Sequence, residues 1–154
     1  MATGDISFTF DSSANFTITL ASLADASGRQ STLISNTNNR PGAKISIRIK
    51  SGAVAPTAGK IYEIYLLRSD GTIADDGAGA SDAALTIENA VLLGTIVVTA
   101  TANKNFYGIF DTAPCGPLGP SWGIAVRNNS GQALSTTESD HRYAYEYYYP
   151  KVAT

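Results

Sequence analysis

Lys44-Ile45-Ser46-Ile47-Arg48-Ile49-Lys50 alternates apolar and polar residues without a break. Successive side chains of a strand point to opposite faces, so Ile45, Ile47 and Ile49 share one face while Ser46 and Arg48 share the other. A helical period would keep Ile45 with Ile49 but turn Ile47 away from them. The same period of two recurs upstream. Ile6, Phe8 and Phe10 alternate with Ser7 and Thr9; Asp11-Ser12-Ser13-Ala14 supplies turn chemistry; Phe16, Ile18 and Leu20 alternate with Thr17 and Thr19. These two segments are expected to form a half-buried hairpin. Asp25 to Gln30 is polar, Leu33-Ile34 is a short apolar pair, and Asn36 to Gly42 reads as a loop.

Downstream, Ile61 to Leu67 is apolar on both faces and reads as an interior strand, reached through the loop Ser51 to Gly59. Ser69-Asp70-Gly71-Thr72 is a turn of the hairpin type. Ala74 to Ser81 is small and acidic, an expected exposed excursion. Asp82 could cap a helical turn through Leu85, and the β-branched run Thr95 to Thr99 returns to strand chemistry, so the expectation is a loop or one helical turn, then a strand. Asn105 to Phe110, Trp122 to Arg127 and His141 to Tyr149 are further strands. Pro114 to Pro120 holds three prolines and two glycines and cannot be regular structure. The expectation is all-β: one antiparallel β-sandwich of about eight strands over residues 1–154, with the jelly roll as its form. Residues 1–27 would be an N-terminal hairpin or arm that contacts a neighbour.

Composition narrows the function. The chain has 154 residues, 44% hydrophobic and 16% charged. About a quarter of an ordinary soluble domain is charged. Here Ser, Thr and Asn supply the polarity. A net charge of −2 offers no basic surface for a phosphate backbone, which argues against nucleic acid. No apolar run approaches the ~18–20 residues of a membrane span, and Met1 to Ile6 does not begin a secretory signal. The expectation is a protein made in a cytoplasm, with no membrane partner.

Catalytic chemistry is hard to assemble. Cys115 and His141 are the sole residues of their types, and Cys115 sits in a Pro/Gly loop with no nucleophile signature around it. Asp70, Asp75, Asp76 and Asp82 gather oxygen ligands that calcium could use, but their spacing is not that of an EF-hand, and a solvated turn is the simpler reading. Gly77-Ala78-Gly79 is not a phosphate loop. Catalytic and metal residues are therefore expected to be none, with no cofactor.

The C-terminal strand stands out. Tyr143, Tyr145, Tyr147 and Tyr149 take alternate positions, so a strand aligns four phenols on one face. Tyrosine joins large apolar area to a polar tip, which suits a core rim, an interface or a sugar site. Trp122 is a second candidate for stacking on a sugar.

Several segments resemble a family of small tailed-bacteriophage virion structural proteins. The matching phrases include Gly28-Arg29-Gln30-Ser31-Thr32, Asn36-Thr37-Asn38-Asn39, Ile49-Lys50-Ser51-Gly52 and Gly79-Ala80-Ser81-Asp82-Ala83-Ala84. Leu118-Gly119-Pro120-Ser121-Trp122-Gly123-Ile124 and Asn128-Asn129-Ser130-Gly131-Gln132 complete the set. The likeness spans residues 28 to 142 and leaves out the first apolar segments and the tyrosine strand. It implies a virion component without a catalytic site, acting as a capsid decoration or cement protein of the jelly-roll type. Its partners would be the major capsid protein or other virion proteins and further copies of itself, and its location the virion. The alternative expectation is a carbohydrate-binding or host-recognition module on a phage tail or fibre, since jelly rolls also serve as lectins. A small hydrolase would need carboxylates that the sequence alone cannot bring together.

Overall fold

A computed structural model describes residues 4–76 and 81–152. Residues 77–80, which include the Gly77-Ala78-Gly79 run and part of the acidic excursion, lie outside the described residues, as do 1–3 and 153–154. The strands are β1 (Ile6–Phe10), β2 (Ala14–Asn15), β3 (Gly28–Gln30), β4 (Ile34–Ser35), β5 (Gly42–Lys50), β6 (Ile61–Ser69), β7 (Ala83–Ala84), β8 (Val91–Val97), β9 (Asn105–Asp111), β10 (Ser121–Asn129) and β11 (Arg142–Val152). Two short 3-10 turns, Ala113–Cys115 and Glu138–Asp140, separate the last strands. No helix among the described residues is long and apolar enough to cross a membrane.

Every strand pair is antiparallel, in two sheets. The first runs β1-β11-β5-β9, with β2 also on β11; the second runs β7-β3-β10-β6-β8, with β4 also on β10. In chain order β1 and β2 lie in the first sheet, β3 and β4 in the second, β5 in the first, β6 to β8 in the second, and β9, β10 and β11 in the first, second and first, so that the last strand lies beside the first. This is the jelly-roll order, a pair of interlocked Greek keys.

The central strands pair as their alternation dictates. Ile45, Ile47 and Ile49 of β5 face inward with Tyr62, Ile64 and Leu66 of β6 and Trp122, Ile124 and Val126 of β10, all buried. Burying each such side chain contributes about 1.5–3 kcal/mol. At the far side the two sheets draw together: Phe110 of β9 lies over Gly94 of β8, where a Cβ would stand 2.7 Å from the ring.

The N-terminal hairpin does not form. β1 pairs with β11, Ile6 opposite Val152 and Phe10 opposite Tyr148, and β2 pairs further along the same edge of β11. The two segments therefore lie end to end rather than side by side. Phe16, Ile18 and Leu20 are buried as their alternation requires, but as an extended strap between the sheets. The Phe16 N–H donates to Tyr143 O, while Thr17 O accepts from the Thr32 N–H. One carboxylate pins the strap: Glu138 Oε2 accepts the N–H groups of Leu20 (2.9 Å) and Ala21 (2.7 Å). Asp82 caps no helix; Ala83 and Ala84 pair with β3, and the strand expected in the Thr95 run is β8.

Candidate functional site

The tyrosine row faces inward. β11 directs Tyr143, Tyr145 and Tyr147 into the sandwich, where they meet Trp122 from the opposite sheet. Phe16, Trp122, Tyr145 and Tyr147 form a ring cluster with centroids 4.9 to 5.7 Å apart, mostly edge to face. That geometry brings the positive edge of one ring to the negative face of the next. Trp122 is fully buried, and its indole N–H donates to the Tyr147 hydroxyl at 2.8 Å. The expectation that Trp122 stacks on a sugar is thus corrected: a strand on the middle of a sheet turns its alternate residues to the core, and Trp122 is one of them. Tyr143, Tyr145 and Tyr147 are core and rim residues for the same reason. Tyr149 continues the row, and the Arg40 guanidinium covers its ring at 3.6 Å. Arg40 also grips Asp11 with two hydrogen bonds, at 2.8 and 3.0 Å.

The exposed aromatic surface is elsewhere, on the outer face of the first sheet. Ile6, Phe8 and Phe10 are 70%, 65% and 56% exposed. Their strand opposes Val152, Pro150 and Tyr148, so the row continues onto β11. Across the same face β9 presents Tyr107 and Ile109, about as exposed. Polar residues lie between: Lys44 pairs with Glu146 at 3.3 Å.

Tyr148, passed over among the odd-numbered tyrosines, organises this face. Its ring lies across β5 at Gly42, where a Cβ would stand 2.5 Å from the hydroxyl oxygen. Only a residue without a side chain allows that approach. The hydroxyl then donates to Asp111 Oδ1 at 2.5 Å. Burial of the phenol and the adjoining carboxylate push its pKa up to about 12. Phe8 and Phe10 pack tilted or edge-on against the Tyr148 ring at 5.9 and 6.0 Å. Together with Lys44, Asp111 and Ala113 they line an open groove of about 400 Å³. A signal for this face was present in the Ile6-Phe8-Phe10 alternation, but alternation does not say which face meets the core.

The remaining candidates have structural partners. Both ring nitrogens of His141 are engaged: Nδ1 accepts the Lys50 N–H at 3.3 Å, and Nε2 lies 3.4 Å from Ser135 O. This describes a neutral imidazole protonated at Nε2, and burial holds its pKa below the ordinary 6.5. Cys115 is half-buried in a 3-10 turn.

The four aspartates of the possible calcium loop are each occupied separately. Asp70 caps its own turn at Thr72 and Ile73, and Asp75 binds Arg68. Asp76 accepts the N–H groups of Glu88, Asn89 and Ala90. Asp82 takes Thr19 and Arg29, whose hydrogen bonds outweigh its burial and lower its pKa. Among the described residues no group of three or more His, Cys, Asp or Glu side chains could hold a metal ion.

The architecture is thus a jelly-roll β-sandwich whose aromatic surface lies on one outer sheet face. No protein-family model matches the chain, and no curated protein matches it either.

Proposed function

We propose that this chain is a bacteriophage virion structural protein, a capsid decoration or cement protein that acts through protein–protein interfaces. Its partners in this reading are the major capsid protein or other virion proteins, and further copies of itself. The observation that carries the proposal is the outer face of the first sheet, where Ile6, Phe8, Phe10, Tyr107 and Ile109 stand uncovered. Rows of large apolar side chains left exposed on one sheet face, the longer of them on β1, mark an interaction surface rather than ordinary surface scatter. The low charge content supports the same reading, because a surface rich in Ser, Thr and Asn can be covered with little charge desolvation. Such a protein would bridge neighbouring subunits, each contact burying on the order of 1,000 Å² or more.

The test is a cryo-EM map of the intact particle, together with the heat stability of particles lacking the protein. Density for a β-sandwich on the capsid and earlier genome release from depleted particles are the expected results. Particles without such density that are equally stable in the protein's absence would sink the reading.

One observation favours the alternative of a carbohydrate-binding or host-recognition module. The groove between Phe8, Phe10 and Tyr148 sets aromatic rings beside Lys44 and Asp111, a combination that suits the apolar face and hydroxyls of a sugar. Glycan-array binding that disappears in Phe10→Ala, with folding intact, would decide for it.

A further inference from the structure

The first sheet does not end evenly. Tyr148 of β11 pairs with Gly42, the first residue of β5, while β11 continues to Val152 with β1 alone beside it. Ile6 to Thr9 and Tyr149 to Val152 thus form a two-stranded ribbon that extends past β5. A two-stranded ribbon is marginal by itself; three or more strands with a shared apolar face are needed for independent stability.

The register fixes which groups of β1 remain free. The Asp11 N–H donates to Tyr147 O, which makes that pair hydrogen-bonded. Antiparallel pairs alternate between bonded and non-bonded, so Thr9–Tyr149 and Ser7–Lys151 are bonded. Phe8–Pro150 is then non-bonded, in keeping with a proline that has no N–H to give. The N–H and C=O groups of Ile6, Phe8 and Phe10 consequently point to the open side of β1. The same three residues carry the exposed apolar side chains. Between Asp5 and Asp11 the strand has none of the charges, prolines or bulges that usually protect a sheet edge.

We infer that β1 is a dimerisation strand, pairing edge to edge with β1 of a second copy about a two-fold axis at Phe8. Resting on the assembly reading above, this names the surface and the partner. In that register Phe8 opposes the second copy's Phe8, and Ile6 opposes its Phe10. Each of these pairs exchanges two backbone hydrogen bonds through the groups left free by β11. Directly opposed residues share a face, so the two apolar rows become one. The two ribbons become a four-stranded sheet, which supplies what each lacks.

A second copy fits better than an unrelated strand because Ile-Ser-Phe-Thr-Phe is its own complement under the two-fold. Its apolar triplet meets the same triplet reversed. At the ends Asp5 would approach the second copy's Asp11, whose charge is already met by Arg40. Taking ~200 Å² per large side chain, the exposed parts of Ile6, Phe8 and Phe10 offer roughly 400 Å² per copy. That is about half of the ~800 Å² per partner of a standard stable interface. The dimer is accordingly weak and depends on concentration, as suits a contact completed on a lattice of many copies.

Sedimentation of the full chain over a wide concentration range tests this. The wild type should pass from monomer to dimer as concentration rises. Phe8→Lys, which sets two like charges face to face at the axis, should weaken dimerisation at least ~10-fold, about 1.4 kcal/mol, with the melting temperature of the monomer kept. Because Phe8 is mostly exposed, the fold should tolerate the change; if it does not, Phe8→Cys in a Cys115→Ser background gives an independent readout. Oxidation should trap a covalent dimer through position 8, but not through Tyr107→Cys on the opposite edge strand.

A wild type that stays monomeric throughout, a Phe8→Lys protein that dimerises undiminished, or equal cross-linking at 8 and 107 overturns the inference. Particle binding separates the two proposals. A monomeric Phe8→Lys protein that still coats particles leaves the virion reading standing. A wild type that dimerises through β1 but coats no particle leaves the dimer standing without it.

Discussion

Trp122 of β10 and Tyr147 of β11 join the two sheets by one hydrogen bond, indole N–H to phenol oxygen, 2.8 Å long across the core. The bond satisfies a donor that has no access to water and fixes the rotamer of the largest core side chain. The aromatic cluster around it decides which tyrosines are structural, and so which are left for the surface.

Tyr147→Phe should cost roughly 1–3 kcal/mol, the usual penalty for leaving a buried donor without an acceptor. Trp122→Ala should cost more, about 3–5 kcal/mol, through the cavity it leaves. Urea unfolding followed by the emission of Trp122, the sole tryptophan, measures the first. Unchanged stability in Tyr147→Phe would show that the bond is not needed.

His141 predicts the direction of acid sensitivity. Its folded-state pKa lies below 6.5 because burial disfavours the charged ring. The unfolded chain binds the proton more readily, so stability is whole above about 6.5 and declines as pH falls below that value. Melting temperatures taken from pH 7.5 to pH 5 should fall, and the slope should flatten in His141→Gln. A variant with the same slope as the wild type would place the sensitivity elsewhere.

Gly42→Ala should unseat Tyr148. The added methyl would meet the phenol at 2.5 Å, and overpacking of this kind typically costs 1–3 kcal/mol. The loss should be smaller when Tyr148→Ala is already present, since the clash is then gone. A double-mutant cycle reads this directly; additive losses would mean that the added methyl and the Tyr148 ring do not compete for the same space.

Glu138→Ala should loosen the strap over Phe16 to Leu20 by removing the acceptor of two backbone N–H groups. A loss of about 1–3 kcal/mol is expected, with faster amide exchange at Leu20 and Ala21. Glu138→Gln, which keeps an acceptor oxygen, should recover part of it. Unchanged exchange in Glu138→Ala would assign the strap's order to its buried side chains alone.

Much of the fold was legible along the chain because strand alternation is local. The isoleucines of β5 and the doubly apolar β6 lie where their period puts them; the Pro/Gly run before Trp122 is irregular from Gly116 to Pro120, but its first residues, Pro114 and Cys115, belong to a 3-10 turn that a proline at the first positions allows. The tyrosine period was equally legible: Tyr143, Tyr145 and Tyr147 do share a face. What the period left open was whether that face meets the core, because the two sides of a strand are equivalent until another sheet covers one of them.

The N-terminal segments show the same boundary. Ile6, Phe8 and Phe10 look no different from Phe16, Ile18 and Leu20 as a pattern, and a turn-like stretch joins them. One row is exposed and the other buried because β1 and the strap settle end to end along β11, a partner more than 130 residues away from Ile6. Composition and alternation determined that this protein is an all-β sandwich with few charges. The tertiary structure decided which aromatic row is core and which is surface, since burial depends on long-range pairing and register that no local pattern contains.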